Sequence, residues 1–301
     1  MTPKAVFDLG SNSVKMLVAM SGGGHMGLVA DEVRICALGE GLRASGRLSE
    51  AAMNRTLDAL EELVDLARKL GASDFRAVGT QALRQADNGD EFLDRIEDRC
   101  GLLVAIISGD EEARLSFRAA GASLGKRGDD LVTFDVGGGS TEFNFGRQGQ
   151  VSDSFSLPLG CIPITEDFFA EDPPLRENVD AALNALHGEL SSLIGKQGTL
   201  VGIGGTLTTL GSVQLGLEQF QSERMRGLRV TLGEVDRQIE LYRSLPLLER
   251  RNLTGLHPER APVILAGSCI VRAVMHRLGS QELLLSDLAL RHGLFLDLFI
   301  S

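Results

Sequence analysis

A short pattern that occurs twice constrains the fold of this chain more than any other feature. The segments 5–17 and 132–145 read AVFDLGSNSVKML and VTFDVGGGSTEFNF. Each places an apolar run, one aspartate, a turn of small residues and a second apolar run in the same order, which predicts a β-hairpin with its aspartate near the turn. Two unrelated hairpins are one interpretation, and internal duplication of a larger unit is the other.

The sequence after each hairpin favours the duplication. A third predicted strand and then alternating helices and strands follow both hairpins, which is typical of an α/β domain. The predicted strands are 5–9, 14–20, 26–33, 75–79 and 102–107 in the first series, and 131–136, 141–145, 151–157, 199–203 and 283–285 in the second. We therefore predict two domains, 1–125 and 126–301, that meet at the polar segment 126–130, with both hairpin turns directed into a cleft between them.

The composition of the chain argues against nucleic acid and membranes as binding partners. The chain of 301 residues carries a formal net charge of −11, which argues against a general electrostatic grip on nucleic acid or an anionic membrane. The four cysteines are far apart in sequence and predict reduced thiols in a cytoplasmic protein. No apolar run reaches the ~20 residues that span a bilayer, and no signal-peptide pattern opens the chain. We expect neither a nucleic-acid partner nor a membrane partner.

Both hairpin turns have the composition of a phosphate-binding loop. Small residues let successive backbone N–H groups face one concavity, which favours an anion, and glycine lets a phosphate approach the backbone closely. A third glycine-rich turn, GIGGT at 202–206, follows a predicted strand and opens a helix, although a tight strand–helix connection has the same composition. The candidate phosphate-binding residues are Gly10, Ser11, Asn12, Ser13, Gly137, Gly138, Gly139, Ser140, Thr141, Gly204, Gly205 and Thr206.

The two aspartates need a cation at such a site. A carboxylate beside a phosphate repels it unless a positive charge lies between them. Asp8 and Asp135 therefore predict a divalent cation, and Mg²⁺ with several waters suits oxygen ligands of this kind. Two opposed phosphate loops suit a ligand that carries more than one phosphate.

The chain resembles a known family in six segments that span nearly its whole length in order. The six segments are DLGSNS (8–13), VGTQALRQA (78–86), ISGDEEARLSF (107–117), FDVGGGSTEF (134–143), GIGGT (202–206) and SDLALRHGLF (286–295). These motifs resemble the exopolyphosphatase/guanosine pentaphosphate phosphohydrolase (Ppx/GppA) family of the actin and hexokinase superfamily. The resemblance implies two ribonuclease-H-like domains with an interdomain cleft, and the length is similar to that of the short members, which lack a C-terminal helical domain.

The resemblance also implies roles for single residues. Glu112, in GDEEARL, matches a catalytic carboxylate that activates water, and Arg84 matches a phosphate-binding arginine. Glu142 matches an acidic residue that positions a metal or water, and it joins the two aspartates as a candidate metal ligand. Lys15 stands where the family often has histidine or arginine, and we expect it to bind phosphate as a cation. By itself, the residue pattern also fits Glu111 and Glu112 as first-turn carboxylates that favour the helix dipole.

Two further groups of charged residues can be explained without a role in substrate binding. Asp287 and Arg291 lie one helical turn apart, and we expect them to pair with each other. Three arginines lie close together in the segment 223–230, where they form either a solvated face or a path for a polyanion. They are Arg224, Arg226 and Arg229.

The expected activity is that of an exopolyphosphatase, which releases terminal orthophosphate from inorganic polyphosphate. Hydrolysis of guanosine pentaphosphate (pppGpp) at its 5′-phosphate is the alternative, because the motifs describe the phosphate grip rather than the leaving group. A kinase of the same superfamily, an actin-like filament and an alarmone-binding regulator are further alternatives. The chain could also form a homodimer, as members of this family often do.

Overall fold

The structure is a computed structural model that describes residues 2–23, 25–125 and 130–300. It divides into two compact units. The first unit is formed by Met1–Ser116 together with Leu290–Ser301, and the second by Phe117–Ala289. Each unit contains one β-sheet, and helices pack against that sheet, which confirms the predicted α/β class.

The first unit is built on a five-stranded sheet. Its strands are β1 Lys4–Leu9, β2 Ser13–Gly22, β3 His25–Ile35, β4 Asp74–Gly79 and β5 Val104–Ile106. They lie in the order β3-β2-β1-β4-β5, with β1 antiparallel to β2 and parallel to β4. The helices between these strands and after them are α1 Leu42–Ser45, α2 Glu50–Lys69, α3 Gln81–Gln85, α4 Gly89–Cys100 and α5 Gly109–Leu124.

The second unit is built on a six-stranded sheet. Its strands are β6 Asp130–Val136, β7 Thr141–Arg147, β8 Gln150–Leu157, β9 Thr199–Ile203, β10 Arg229–Thr231 and β11 Glu282–Leu285. Its helices are α6 Cys161–Phe168, α7 Arg176–Glu189, α8 Gly204–Leu215, α9 Leu232–Ser244, α10 Leu247–Arg250 and α11 Ile264–Arg277, with 3₁₀ turns at Leu190–Leu193, Ser222–Arg224 and Pro258–Arg260. The last helix of the chain, α12 Leu290–Phe299, belongs to the first unit.

The two sheets share one topology. The second sheet has the order β10-β11-β9-β6-β7-β8, in which β6 is antiparallel to β7 and parallel to β9. Strands β6, β7, β8, β9 and β11 therefore correspond to β1 through β5, and β10 adds one antiparallel strand beyond β11. This correspondence supports the internal duplication that the repeated hairpin pattern predicts.

Strand β1, in the middle of the first sheet, is buried on both faces, as its continuous apolar run predicts. Phe7 and Leu9 of β1 pack in one cluster with apolar residues of α2 and α4. Val6 of the same strand faces the opposite side, where it packs with Phe295 of α12. Each of these side chains is fully buried.

The compact units are divided differently from the predicted domains 1–125 and 126–301. Helix α5 crosses the division between Ser116 and Phe117, because Phe117 packs against Leu131 and Val201 of the second sheet. The residues after 289 return to the first unit because α12 packs on β1 and β2. Residues 126–129 of the predicted boundary segment 126–130 lie outside the described residues. The limits 1–125 and 126–301 of the two duplicated sequences therefore stay a prediction.

The cysteines are all buried and unbridged, at positions 36, 100, 161 and 269. Their burial agrees with their expected place in the core. In the part of the chain that the structure describes, no helix combines the length and the apolar character that crossing a membrane requires.

Candidate active site

The first candidate loop connects β1 to β2 and is closed by its own backbone. The amide of Gly10 donates to the carbonyl of Ser13 at 3.0 Å. The amide of Gly39 donates to the carbonyl of Ser11 at 2.7 Å, and the amide of Cys36 donates to the carbonyl of Asn12 at 2.9 Å. The segment after β3 therefore holds the loop in one shape.

Asp8 and Lys15 form an ion pair across this hairpin. They are direct partners in the antiparallel register of β1 and β2. Lys15 Nζ donates to Asp8 Oδ2 at 3.0 Å, and the Asp8 side chain is 2% exposed while that of Lys15 is 30% exposed. A carboxylate this deeply buried requires a partner, and the lysine supplies it from within the same hairpin.

The structure brings together the two residues expected to bind phosphate and activate water in the first unit. Arg84 lies on α3, directly after β4, and Glu112 lies in the first turn of α5. Arg84 Nη2 donates to Glu112 Oε2 at 3.1 Å, and Arg84 Nη1 donates to the carbonyl of Ile107 at 2.6 Å. Both side chains are partly exposed. A carboxylate and a guanidinium thus lie side by side, although they are 28 residues apart in sequence.

Glu111 has a different environment from its neighbour. Its carboxylate accepts two hydrogen bonds from Arg114, which also pairs with Asp297 of α12. The hydrogen bond from Arg114 outweighs desolvation and lowers the pKa of Glu111. These contacts support a structural role for Glu111 as a first-turn carboxylate of α5.

The second candidate loop connects β6 to β7 and repeats the geometry of the first. The amide of Gly137 donates to the carbonyl of Ser140 at 2.9 Å. Asp135 and Glu142 are direct partners in the register of the two strands. The hydroxyls of Ser140 and Ser156 both donate to Glu142 Oε1. These donors fix the position of the Glu142 carboxylate beside the loop.

The third glycine-rich turn lies against the second loop. Gly204 has a positive φ of 82°, and a Cβ added there would collide with the carboxylate of Asp135. Thr206, two residues later, donates through Oγ1 to the carbonyl of Val136 at 2.7 Å. The predicted phosphate contacts of the second unit are therefore brought together by close backbone packing that only glycine permits at this position.

Sequence reasoning missed one residue of this cluster. Arg260 ends a 3₁₀ turn ahead of α11, and its guanidinium lies so close to Gly205 that an added Cβ would collide with it. Desolvation lowers the pKa of Arg260, while the negative charge of Asp135 acts in the opposite direction. Its signal in the sequence is weak, because a single arginine before an apolar helix is more often a surface residue.

Cys161 lies in the same neighbourhood but is not a nucleophile. Its Sγ is 3.7 Å from Thr206 Oγ1. Burial raises the pKa of the Cys161 thiol to about 11. The thiol is therefore protonated at neutral pH and acts as a small packing group.

The predicted metal ligands differ in how well they suit a cation. Among the residues that the structure describes, no three His, Cys, Asp or Glu side chains come together as a set that could hold a metal ion. Asp135 and Glu142 nevertheless oppose each other directly across one hairpin. Two carboxylates with water completing the coordination suit Mg²⁺, which keeps several waters in most protein sites.

The expected pair between Asp287 and Arg291 is wrong. Asp287 accepts hydrogen bonds from Ser123 at 2.6 Å and from Arg226 at 2.7 Å. Arg291 instead donates twice to Asp31 of β3, at 2.6 and 2.7 Å. Both aspartate side chains are more buried than those of an exposed helix-surface pair, and a buried carboxylate requires hydrogen-bond donors, which these other elements supply.

The basic segment 223–230 is largely neutralised by its neighbours. Arg226 pairs with Asp287, and Arg229 Nη1 donates to Glu282 at 2.6 Å. These pairs favour the solvated-face interpretation of the segment over a path for a polyanion.

Comparison with known proteins identifies the family. The model of the Ppx/GppA phosphatase family matches residues 17–301. The chain belongs to this family. The match covers nearly the whole chain and contains five of the six motifs, while DLGSNS at 8–13 precedes it.

Relatives within the Ppx/GppA family carry two different names. The chain is 32% identical to exopolyphosphatase 2 of Mycobacterium tuberculosis over an alignment of 316 positions, which covers 99% of both chains. It is also 32% identical over 294 residues to the guanosine-5′-triphosphate,3′-diphosphate pyrophosphatase of Photobacterium profundum, covering 98% of this chain and 59% of that relative.

Solved Ppx/GppA structures share the fold. The crystal structure of the type II variant of the Aquifex aeolicus Ppx/GppA phosphatase superposes with a TM-score of 0.85 at 32% identity, over 99% of each chain. This likeness confirms the predicted fold class.

Proposed function

We propose that this chain is an exopolyphosphatase that hydrolyses the terminal phosphoanhydride of inorganic polyphosphate. The contact between Arg84 and Glu112, at 3.1 Å, carries the proposal. A guanidinium can grip a terminal phosphate through paired donors, and a carboxylate beside it can orient the water that attacks the phosphorus. Membership of the Ppx/GppA family supports the same chemistry.

Glu112 has the role of general base. Water attacks the terminal phosphorus while its proton passes to the Glu112 carboxylate. The bond between that phosphorus and the bridging oxygen breaks, and the shortened polyphosphate leaves with the electron pair. A base of this kind contributes about 10²- to 10⁴-fold to the rate.

Each glycine-rich loop can bind phosphate within its own unit. In each unit a hydrogen bond between the first and fourth loop residues fixes the turn, from Gly10 to Ser13 and from Gly137 to Ser140. The preorganised backbone dipoles of such turns favour an anion without reorganisation during the reaction. The remaining candidate residues of the GIGGT turn extend this surface in the second unit.

A divalent cation, Mg²⁺ by the chemistry of the donors, is part of the proposal. Asp135 and Glu142 would hold it beside the second loop. When bound, it would offset negative charge on the phosphoryl oxygens. We further propose that the protein acts in the cytoplasm and could form a homodimer.

The alternative activity is pppGpp 5′-phosphohydrolase. The relative in Photobacterium profundum, named for a guanosine substrate, favours it at 32% identity. Both reactions break the same kind of bond, and the residues described above grip phosphates rather than the group at the far end of the chain.

A substrate comparison tests the proposal. Orthophosphate release is measured with long-chain polyphosphate, pppGpp and ATP at equal phosphate concentration in the presence of Mg²⁺. We expect polyphosphate to give the highest kcat/KM. Faster release from pppGpp would assign the alternative activity, whereas phosphate transfer to a small acceptor with none to water would contradict both.

A further inference from the structure

Asn88 uses its side chain in an unusual way. It directly precedes helix α4, where an asparagine usually caps the helix by accepting from one of its first amides, yet its side chain makes no such bond. The amide of Leu48 instead donates to Asn88 Oδ1 at 2.8 Å, and Asn88 Nδ2 donates to the carbonyl of Leu48 at 3.1 Å. The carboxamide therefore joins two segments that lie 40 residues apart in sequence.

The Asn88 carboxamide is buried and engaged with the protein itself. The residue is 6% exposed, and Nδ2 also lies 3.8 Å from Met53 Sδ, a weak acceptor. When one partner of a buried hydrogen bond is lost, the other is left without a bond, which costs free energy. The two backbone groups of Leu48 thus determine the place of Asn88.

The segment held by this carboxamide also contacts the first candidate loop and the end of α3. This segment, residues 36–48, lies between β3 and α2. The amide of Gly39 donates to the carbonyl of Ser11 in the loop at 2.7 Å, and the amide of Asp87, after α3, donates to the carbonyl of Gly46 at 2.9 Å. One segment therefore contacts both the loop and the turn that follows α3.

Helix α3 carries Arg84 and depends on contacts at its ends. It has only five residues, too few for a helix to be stable by itself. At its start, the amide of Thr80 donates to the carbonyl of Leu9, the last residue of β1, at 3.2 Å. After its end, Gly89 lies so close that an added Cβ would be 2.9 Å from the carbonyl of Leu83. The position of Arg84 is therefore set by the segments on either side of α3.

We propose that Asn88 is a positioning residue for Arg84. By joining the turn after α3 to the segment 36–48, it holds α3, and with it the Arg84 guanidinium, in a fixed position relative to the first candidate loop. All these residues lie in the first compact unit. This role rests on the proposed function, in which Arg84 grips the terminal phosphate, and a displacement of about 1 Å at such a group can lower the rate by about 100-fold.

Kinetics and phosphate binding of two matched variants test this role. Asn88→Ala removes the carboxamide. Thr56→Val is the control, because Thr56 is also buried in the first unit and its hydroxyl donates to the carbonyl of Ala52 within α2. For long-chain polyphosphate we expect Asn88→Ala to lower kcat/KM by about 10- to 100-fold and Thr56→Val to stay within about twofold of the wild type. Tripolyphosphate binding, measured by calorimetry with EDTA present, should weaken by about tenfold in Asn88→Ala only.

Two further comparisons show whether Asn88 acts through Arg84. In an Arg84→Gln background, Asn88→Ala should change kcat/KM by less than about threefold, because the effects of residues that act as a unit are not additive. Asn88→Asp keeps the acceptor for the Leu48 amide, and its kcat/KM should recover toward that of the wild type as the pH falls, since the protonated carboxyl restores the donor. This variant also replaces Asn88→Ala if the alanine variant fails to fold.

An Asn88→Ala protein with the kcat/KM and the tripolyphosphate affinity of Thr56→Val would overturn the proposal, as would an equal effect of Asn88→Ala in the wild-type and Arg84→Gln backgrounds. If the wild type binds tripolyphosphate but hydrolyses no phosphoanhydride, the proposed function fails, and the binding comparison still decides the role of Asn88. A wild type that neither binds nor hydrolyses such a chain would overturn both.

Discussion

At the scale of single residues, the contacts of Arg84 determine how the proposed general base is held. Its guanidinium bonds the carbonyl of Ile107 with one nitrogen and the carboxylate of Glu112 with another. A planar fork with several donors can do this and still offer a free edge to a phosphate. A lysine has a single nitrogen and cannot reproduce the arrangement.

Replacement of Arg84 should therefore impair both binding and turnover. We expect Arg84→Lys to lower kcat/KM for polyphosphate by about 10-fold and Arg84→Gln by about 100-fold, because both lose a charge-assisted contact to the terminal phosphate. Steady-state kinetics measures the effect. Arg76→Gln is the control, since Arg76 is exposed and pairs only weakly with Asp74 on the surface. An Arg84→Gln enzyme with wild-type kcat/KM would exclude a role for this arginine.

How far the sequence predicts these contacts depends on whether they are local. The pair of Asp8 with Lys15 follows from hairpin register, which turn length determines. The position of Arg260 beside Gly205 does not follow from any local pattern, because the two residues come from separate elements. Tertiary packing alone brings them together.

At the scale of elements, the first residue of helix α8 lies beside a carboxylate of the candidate site. Gly204 opens this helix with φ of 82° and lies against the Asp135 carboxylate, whereas Gly216 ends it with φ of 60° and open space around the position of a Cβ. Both are left-handed, so both favour glycine. Only at Gly204 would an added Cβ collide with a side chain of the candidate site.

The two glycines provide a matched comparison. Gly216→Ala should lower the free energy of unfolding by about 1 kcal/mol, the cost of a left-handed alanine, with activity unchanged. Gly204→Ala should cost about 2–4 kcal/mol, because a collision with Asp135 adds to the backbone strain, and activity should fall at least about tenfold. Urea unfolding and orthophosphate release measure the two effects. Equal losses in both variants would show that Asp135 is not constrained by this turn.

The sequence predicts the long, regular elements and the short strands β5 and β11, but it misses several other short elements. Strand β1 and helix α2 are long and regular enough for apolar spacing to define them. The three-residue strand β10 and the short helices α1, α3 and α10 carry too few residues for a period to be recognised. These short elements are stabilised by contacts with neighbouring parts of the fold. Local sequence patterns do not reveal such contacts.

At the scale of the whole molecule, the chain leaves the first compact unit within α5 and returns to it with α12. A cluster of charged side chains joins α12 to β3 of this unit. Asp31 of β3 accepts from Arg291 and lies 3.3 Å from His292 Nε2. Burial raises the pKa of Asp31, but the hydrogen bond from His292 and the charge of Arg291 outweigh it and hold the pKa well below its usual range. The apolar pattern of α12 predicts a buried helix but not the sheet it packs against, so this contact could not be predicted.

The cluster predicts an acid-sensitive stability. Because the pKa of Asp31 is depressed in the folded protein, the unfolded state binds more protons once the pH falls to the ordinary value of 3.8. The contribution is fully present above that pH and is lost as the pH falls further. Asp31→Asn should lower the free energy of unfolding by about 3 kcal/mol at neutral pH and should flatten its pH dependence below pH 4. Denaturant titrations between pH 2 and pH 7 measure both. An unchanged pH profile in the variant would contradict the assignment.

The central claim is that Glu112 is the base of a phosphoanhydride hydrolase. The most direct test measures orthophosphate release from long-chain polyphosphate by wild type, Glu112→Gln and Glu111→Gln, with folding checked by thermal melting. The neighbouring glutamate is the control because it pairs with Arg114. We predict that Glu112→Gln lowers kcat by about 10²- to 10⁴-fold, while Glu111→Gln stays within about threefold of wild type. A Glu112→Gln enzyme as fast as Glu111→Gln would contradict the claim.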